Sequence, residues 1–173
     1  MDAPELMLVR PSTATPSHER YSEPVRALLA LQGSTTYFLE SRADAPIEVD
    51  VLDQTRAVDR DGRDVLHRVS RLYLHTPTRA LVVAEADIYL DGLAPALRDA
   101  LCARSTGIGK LLDPDNRGLI GKLDLGADVV VAPAALQTRC TWALRRHYRL
   151  RFADAVCADI RETFNDESLE RLR

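Results

Sequence analysis

The segment RRHYRLRFADAVCADIRETF, residues 145–164, decides the fold of this chain. Its alternating pattern predicts two arginine-rich strands, the second over about residues 155–164. One face of the second strand carries a single acidic side chain among apolar ones: Val156, Ala158, Ile160, Glu162 and Phe164. A helix over residues 153–165 fits the residue propensities nearly as well, so the segment by itself leaves both alternatives open. In the strand, Glu162 points into the protein.

A second informative segment is LLALQGSTTYFLE, residues 28–40. Together, the two segments predict a pocket that binds an anion. Ser22 followed by Pro24 predicts the start of a helix that ends at Gly33. After the Gly-Ser-Thr-Thr turn, a strand is predicted from about Thr35 to Glu40. A lone carboxylate facing an arginine-rich strand suggests a pocket in which a small anion is held while one proton moves.

The middle of the chain predicts a sheet followed by helices. Residues 47–58 alternate as a half-buried strand, and residues 64–76 and 79–90 are typical of a hairpin around a Thr-Pro-Thr turn. Residues 91–113 predict two short helices separated by a Gly-Ile-Gly break. Residues 113–135 mix turn signals with one short apolar run, and no element is predicted there.

These elements predict a single α+β domain over residues 22–173. It has a central antiparallel β-sheet, helices covering one side of the sheet, and a buried ligand pocket. Residues 1–21 contain several Pro, Ser and Thr residues, which is typical of a partly ordered N-terminal arm.

Composition narrows the class of protein. At 173 residues with 46% hydrophobic content, the chain is long enough for one domain with a core of its own. A net charge of −3 gives no general attraction to nucleic acid, and the N-terminal apolar run is too short for a signal peptide or a membrane anchor. Three widely spaced cysteines without a CxxC pair, and four scattered histidines, indicate a reduced, cytoplasmic protein without a metal site.

Four segments, in order, resemble the chorismate–pyruvate lyases, a family that forms 4-hydroxybenzoate and pyruvate from chorismate. LLALQGSTTYFLE resembles the family's helix, Ser-x-Thr turn and strand, and RLYLHTPTRALVVAEADIYLDGLAPALRDAL resembles its central hairpin running into a helix. STGIGKLL resembles its Pro-(Leu or Ile)-Gly segment, and RRHYRLRFADAVCADIRETF resembles its arginine-rich strand and closing Thr-Glu-x-Phe strand. The resemblance covers most of residues 25–164.

The resemblance implies a set of site residues. The family's catalytic glutamate falls on Glu162, and its substrate-contacting arginine falls on Arg71. The turn position whose backbone contacts the ligand falls on Thr35, and the apolar residue of the Pro-Leu-Gly segment falls on Ile108. Arg149, in the arginine-rich strand, is a further candidate for binding a substrate carboxylate.

The resemblance also implies an activity, that of a carbon–oxygen lyase of aromatic acid biosynthesis acting on chorismate. Loss of a ring proton and of the enolpyruvyl ether makes the ring aromatic, so the reaction needs an anion clamp and a proton carrier but no metal or organic cofactor. The expected partners are the small-molecule substrate and the aromatic acid product, with no nucleic acid and no membrane. The sequence is compatible with a monomer or a dimer.

Two other functions stay open. The fold of this family resembles the effector-sensing domains of some bacterial transcription regulators, which makes a non-catalytic domain that binds a small aromatic acid the main alternative. The segment before residue 22 shows no winged-helix pattern, which argues against a complete regulator. A family member acting on a different enolpyruvyl or cyclohexadiene substrate in secondary metabolism is the third possibility. The non-functional alternative for Glu162 is a structural ion pair, which is the commoner role of a single glutamate on a strand face.

Overall fold

The computed structural model describes residues 20–104 and 106–172, which form one α+β domain. The strands are β1 (Ile47–Val58), β2 (Asp64–Leu74), β3 (Ala80–Tyr89), β4 (Ile120–Val131), β5 (Trp142–Phe152) and β6 (Ala155–Phe164). The helices are α1 (Glu23–Ala30), α2 (Thr35–Ala43), α3 (Pro95–Cys102), α4 (Ile108–Leu112) and α5 (Asp166–Leu169). The N-terminal arm predicted for residues 1–21 lies outside the described residues except for its last two positions. The predicted α+β class is confirmed.

The six strands of the described residues belong to one antiparallel sheet in the order β1-β2-β3-β6-β5-β4. One face of this sheet is apolar and is covered by the helices, as predicted. At one end, Leu39 of α2 packs with Leu72 and Phe164, and at the other end Leu101 of α3 packs with Ile160. The main core therefore lies between one sheet face and a discontinuous helical layer, and a smaller cluster of Val83, Leu136 and Ala143 lies on the opposite face.

The strand predicted at Thr35–Glu40 is wrong, because these residues begin helix α2. The side chain of Ser34 caps the helix by accepting a hydrogen bond from the backbone N–H of Tyr37 at 3.5 Å. Leu39 is fully buried on the helix side that faces the core. The cap and this burial outweigh the strand preference of the Thr, Tyr and Phe residues.

Strand β4 lies in the segment for which the sequence predicts no element. It is an edge strand, and a register shift between Asp124 and Gly126 interrupts its alternation. Asp113 positions the chain that enters it. The Asp113 carboxylate accepts hydrogen bonds from the backbone N–H groups of Arg117, Gly118 and Leu119 at 2.7, 2.8 and 3.0 Å. The fold of residues 113–119 thus depends on one buried side chain.

No helix within residues 20–104 or 106–172 is both long and apolar enough to cross a membrane.

The Glu167 carboxylate ties α5 to the turn before β5 and makes stability depend on pH. Hydrogen bonds from the Thr138 hydroxyl, and then from backbone N–H groups including that of Arg139, lower the pKa of Glu167 from 4.5 to about 2. Because the folded-state pKa lies below the unfolded one, this stabilisation is present above about pH 4.5 and is lost as the pH falls toward 2. We expect Glu167→Gln to cost about 2 kcal/mol in unfolding free energy at pH 7, less than the full linkage because the side chain is partly exposed.

The measurement is urea denaturation of both proteins at pH 7 and at pH 3. The difference in unfolding free energy should shrink at the lower pH. Glu170→Gln is the control, because Glu170 is exposed. A difference that is independent of pH, or an equal effect of the control, would contradict the assigned role of Glu167.

Candidate functional site

A cavity lies between the apolar sheet face and the first turns of α2 and α4. Its volume is about 60 Å³, and its walls are mostly apolar. The helix side of the wall consists of Ser34, Thr35, Thr36, Gly107, Ile108 and Gly109. The sheet side consists of Val49, Ser70, Leu72, Ala84, Ile120, Lys122, Tyr148, Leu150, Ile160 and Glu162. All six strands and two helices thus contribute to one site.

A buried ion pair forms the polar end of this cavity. Lys122 Nζ lies 3.7 Å from Glu162 Oε2, and the two side chains are 1% and 5% exposed. Lys122 also donates a hydrogen bond of 2.8 Å to the hydroxyl oxygen of Thr35, and its ammonium lies 4.4 Å from the ring centre of Tyr148. Within the described residues, Glu162 Oε2 has no hydrogen-bond partner. The pair is therefore desolvated but still has hydrogen-bonding capacity toward a ligand.

The surroundings change the acidity of the neighbouring groups. Burial lowers the pKa of Lys122, while the charge of Glu162 opposes this effect. Burial, and after it the charge of Glu162, raises the pKa of Tyr148 well above its usual range. Tyr148 therefore remains a protonated hydrogen-bond donor at neutral pH.

Three of the residues predicted from the sequence meet at this cavity. Glu162 lies on β6, opposite Ala84 in the cross-strand register, and its side chain faces the helices as predicted. Thr35 opens α2, and Ile108 opens α4 on the other side of the cavity. Their juxtaposition is observed, and their roles toward a ligand stay predictions.

Two predicted site residues, Arg71 and Arg149, do not line this cavity. Arg71 follows the cavity residue Ser70 on β2, so the strand pleat directs it to the opposite face of the sheet. There it pairs with Asp50, at 2.7 Å between Arg71 Nη2 and Asp50 Oδ2. Arg149 likewise follows Tyr148 on β5; its side chain is half exposed and its Nε lies 3.8 Å from Asp159 Oδ2. Neither arginine lines the site.

The cation of the site, Lys122, is not predicted by the sequence analysis because strand β4 is not predicted. One signal for it exists. Lys110 and Lys122 are the only lysines in a chain whose other basic residues are all arginine. Placing Lys122 on a strand between Ile120 and Asp124 would have indicated an inward-facing lysine.

Arg68 fixes the α3–α4 connection, whose last residue, Gly107, lines the cavity. Its guanidinium, 1% exposed, donates hydrogen bonds to the Gln54 side chain at 2.8 Å and to the Thr106 carbonyl at 3.0 Å, and it also bonds the Leu101 carbonyl.

Gly109 is a position where α4 touches the start of α2. A Cβ atom there would lie 2.6 Å from Ser34 Oγ and 3.3 Å from Ser34 Cβ. Gly109→Ala should displace the Ser34 cap and lower the unfolding free energy by about 1–2 kcal/mol. In Gly92→Ala the added Cβ meets nothing within 4 Å, so a change below about 0.5 kcal/mol is expected. Urea denaturation of both variants checks this, and equal stability of the two would contradict the close approach.

Solved structures share this fold. No protein-family model matches the chain, and no curated protein sequence matches it significantly. The effector domain of PhnF from Mycobacterium smegmatis is 14% identical over 77% of this chain and 88% of that domain, with a TM-score of 0.55. A structure of PhnF from the same organism is 14% identical over 79% of this chain and 65% of that chain, also with a TM-score of 0.55.

A weaker match is the ligand-binding domain of a regulator from Bordetella bronchiseptica that is assigned to the GntR family. It is 14% identical over 69% of this chain and 84% of that one, with a TM-score of 0.46. At these identities the similarity to PhnF establishes the fold. The chain has the fold of the PhnF effector domain.

Proposed function

We propose that residues 22–173 form a non-catalytic ligand-binding domain that holds a small planar organic acid in the cavity beneath α2 and α4. The observation that carries this proposal is the Lys122–Glu162 pair at the polar end of an otherwise apolar cavity. Small-molecule sites combine an apolar lining with a few polar groups that fix the orientation of the ligand.

The apolar wall and the polar end suit different parts of such a ligand. The ring would pack against Leu72, Leu150 and Ile160, whose side chains line the cavity. Its polar oxygens would face Lys122 and Glu162, one donating and the other accepting hydrogen bonds. The first N–H groups of a helix have no partner inside the helix, so the first turn of α2 offers further donors.

The charge of the cavity favours binding over the lyase activity. Within the described residues, Lys122 and Glu162 are the charged residues that line it, and their charges cancel. Chorismate carries two carboxylates, and burying a second carboxylate without a cation is costly. Arg71, expected to supply that cation, pairs with Asp50 on the other face of the sheet. The shared fold of the PhnF effector domain supports the same choice.

The lyase activity is the second candidate function. Within the described residues, Glu162 Oε2 has no hydrogen-bond partner, and this residue lines the cavity. A carboxylate in that position is able to exchange a proton with a bound ring. The two functions differ in one measurable property, the conversion of chorismate.

The experiment combines calorimetric titration with 4-hydroxybenzoate and chromatographic assay of product formed from chorismate. We expect saturable one-to-one binding of 4-hydroxybenzoate and no product above the protein-free control. Arg71→Ala should bind with unchanged affinity, since Arg71 is outside the cavity. Absence of binding would contradict the proposal, and chorismate conversion that Glu162→Gln abolishes would replace it with the lyase function.

A further inference from the structure

Lys122 combines three features of a lysine that reacts with carbonyl groups. Its side chain is 1% exposed, its Nζ reaches a cavity that is mostly apolar, and a carboxylate lies 3.7 Å from that nitrogen. Lysines become nucleophiles when they are desolvated in an apolar pocket, because the neutral amine is then favoured. The lowered pKa of Lys122, caused by burial, acts in the same direction.

We propose that Lys122 captures the carbonyl group of a small aldehyde or keto compound as an imine. The proposal rests on the function proposed above, since it assigns a chemical class to the ligand of the same cavity. It extends that function from reversible polar contacts to a reversible covalent bond.

The neighbouring groups supply the proton transfers that imine formation needs. Glu162 takes a proton from the Lys122 ammonium, and the free amine attacks the carbonyl carbon to form a carbon–nitrogen bond and a carbinolamine. Protonated Glu162 then returns a proton to the hydroxyl, the carbon–oxygen bond breaks, and one water leaves. No oxidant or reductant is required, and the sum is ammonium plus carbonyl giving a protonated imine plus water, with Glu162 returned to its carboxylate form.

The other polar neighbours hold the amine in place. Thr35 accepts a hydrogen bond from Lys122 at 2.8 Å, which fixes the direction of the nitrogen. Tyr148, kept protonated by the rise in its pKa, is a donor for the carbonyl oxygen. The apolar walls limit the access of water, which slows hydrolysis of the imine.

The composition of the chain makes a sharp test possible. With two lysines in the sequence, Lys122, Lys110 and the terminal amine are the three amines able to form an imine. Lys110 is a matched control, because it lies on α4, pairs with Glu40 at 2.5 Å and does not line the cavity.

The probe is 4-hydroxybenzaldehyde in the presence of sodium cyanoborohydride, with intact mass and peptide mapping of the product. We expect an adduct on Lys122 whose added mass is that of the aldehyde less one oxygen atom. Lys122 should react faster than Lys110, because burial in an apolar cavity favours the neutral, nucleophilic amine, whereas Lys110 lies outside the cavity and is paired with Glu40. Excess 4-hydroxybenzoate, which cannot form an imine, should suppress labelling of Lys122 and leave the terminal amine unaffected.

Two variants complete the test. Lys122→Met should lose the adduct, and Lys110→Met should keep it. Peptide mapping of the unmodified sequence gives the same answer without the variants. Labelling confined to Lys110 and the terminal amine, in a protein that binds 4-hydroxybenzoate, would overturn the covalent inference and leave the proposed function standing. A Lys122 adduct in a protein that does not bind 4-hydroxybenzoate would support the covalent inference and contradict the proposed function. Absence of the adduct together with absence of binding would refute both proposals.

Discussion

Lys122→Met should lower the affinity for 4-hydroxybenzoate by about thirtyfold, equivalent to about 2 kcal/mol of binding free energy. The methionine side chain has a similar length but no charge, so the ligand loses a charge-assisted hydrogen bond from the polar end of the cavity. Lys110→Met removes the other lysine, which pairs with Glu40 outside the cavity. The affinity of that control should stay within about twofold of the original, a difference well under 1 kcal/mol.

Stability must be separated from binding in this experiment. Lys122→Met leaves the Glu162 carboxylate buried without its cation, which is expected to destabilise the fold by about 3 kcal/mol. The double variant Lys122→Met with Glu162→Gln removes both charges and should recover most of that loss, while binding stays weak. Calorimetric titration and urea denaturation of the three proteins measure the two effects. Wild-type affinity in the folded double variant would show that the ion pair does not contact the ligand.

Arg146→Met should destabilise the protein by about 3 kcal/mol, because Arg146 caps the C-terminal end of helix α1. Its guanidinium is 1% exposed and donates to the carbonyl oxygens of Leu28 and Leu31 at 3.0 and 2.8 Å. It also lies 5.1 Å from the ring centre of Tyr148. Methionine fills part of the volume but removes two charge-assisted hydrogen bonds and leaves the Leu31 carbonyl without this donor, which is the main cost; the Leu28 carbonyl keeps the Leu31 N–H at 3.3 Å.

Arg145→Met is the matched control for this change. Arg145 precedes Arg146 on β5 but points to the other sheet face, where it pairs with Asp128 at 2.7 Å and is 38% exposed. Exposed ion pairs contribute little, so a loss below about 1 kcal/mol is expected. Urea denaturation compares the two variants. Equal destabilisation by both would contradict the distinct roles that the strand pleat gives them.

Periodicity in the sequence predicts most of this sheet. Residues 47–58, 64–76, 79–90 and 155–164 alternate with period two, and each contains the observed strand. The same alternation directs Glu162 inward. The pleat also places Arg71, the position that the family resemblance implies, on the face of β2 opposite the cavity. Ser70, its neighbour, is the cavity residue.

The remaining features depend on contacts that are distant in the sequence. Residues 35–40 have strand propensities but form a helix, since the Ser34 cap and the burial of Leu39 decide the conformation. Strand β4 is at the edge of the sheet and carries a register shift, so its sequence does not alternate regularly between buried and exposed residues. Lys122 lies on that strand, so the partner of Glu162 is found only when β4 is paired with β5.

The most direct test of the central claim is nuclear magnetic resonance of protein labelled with carbon-13 at its lysine side chains. Two lysines give two sets of side-chain signals, which Lys110→Met assigns. On titration with 4-hydroxybenzoate, the Lys122 signals should shift and saturate at one ligand per chain, while the Lys110 signals stay in place. Unchanged Lys122 signals at a ligand concentration that saturates the calorimetric titration would contradict binding in this cavity.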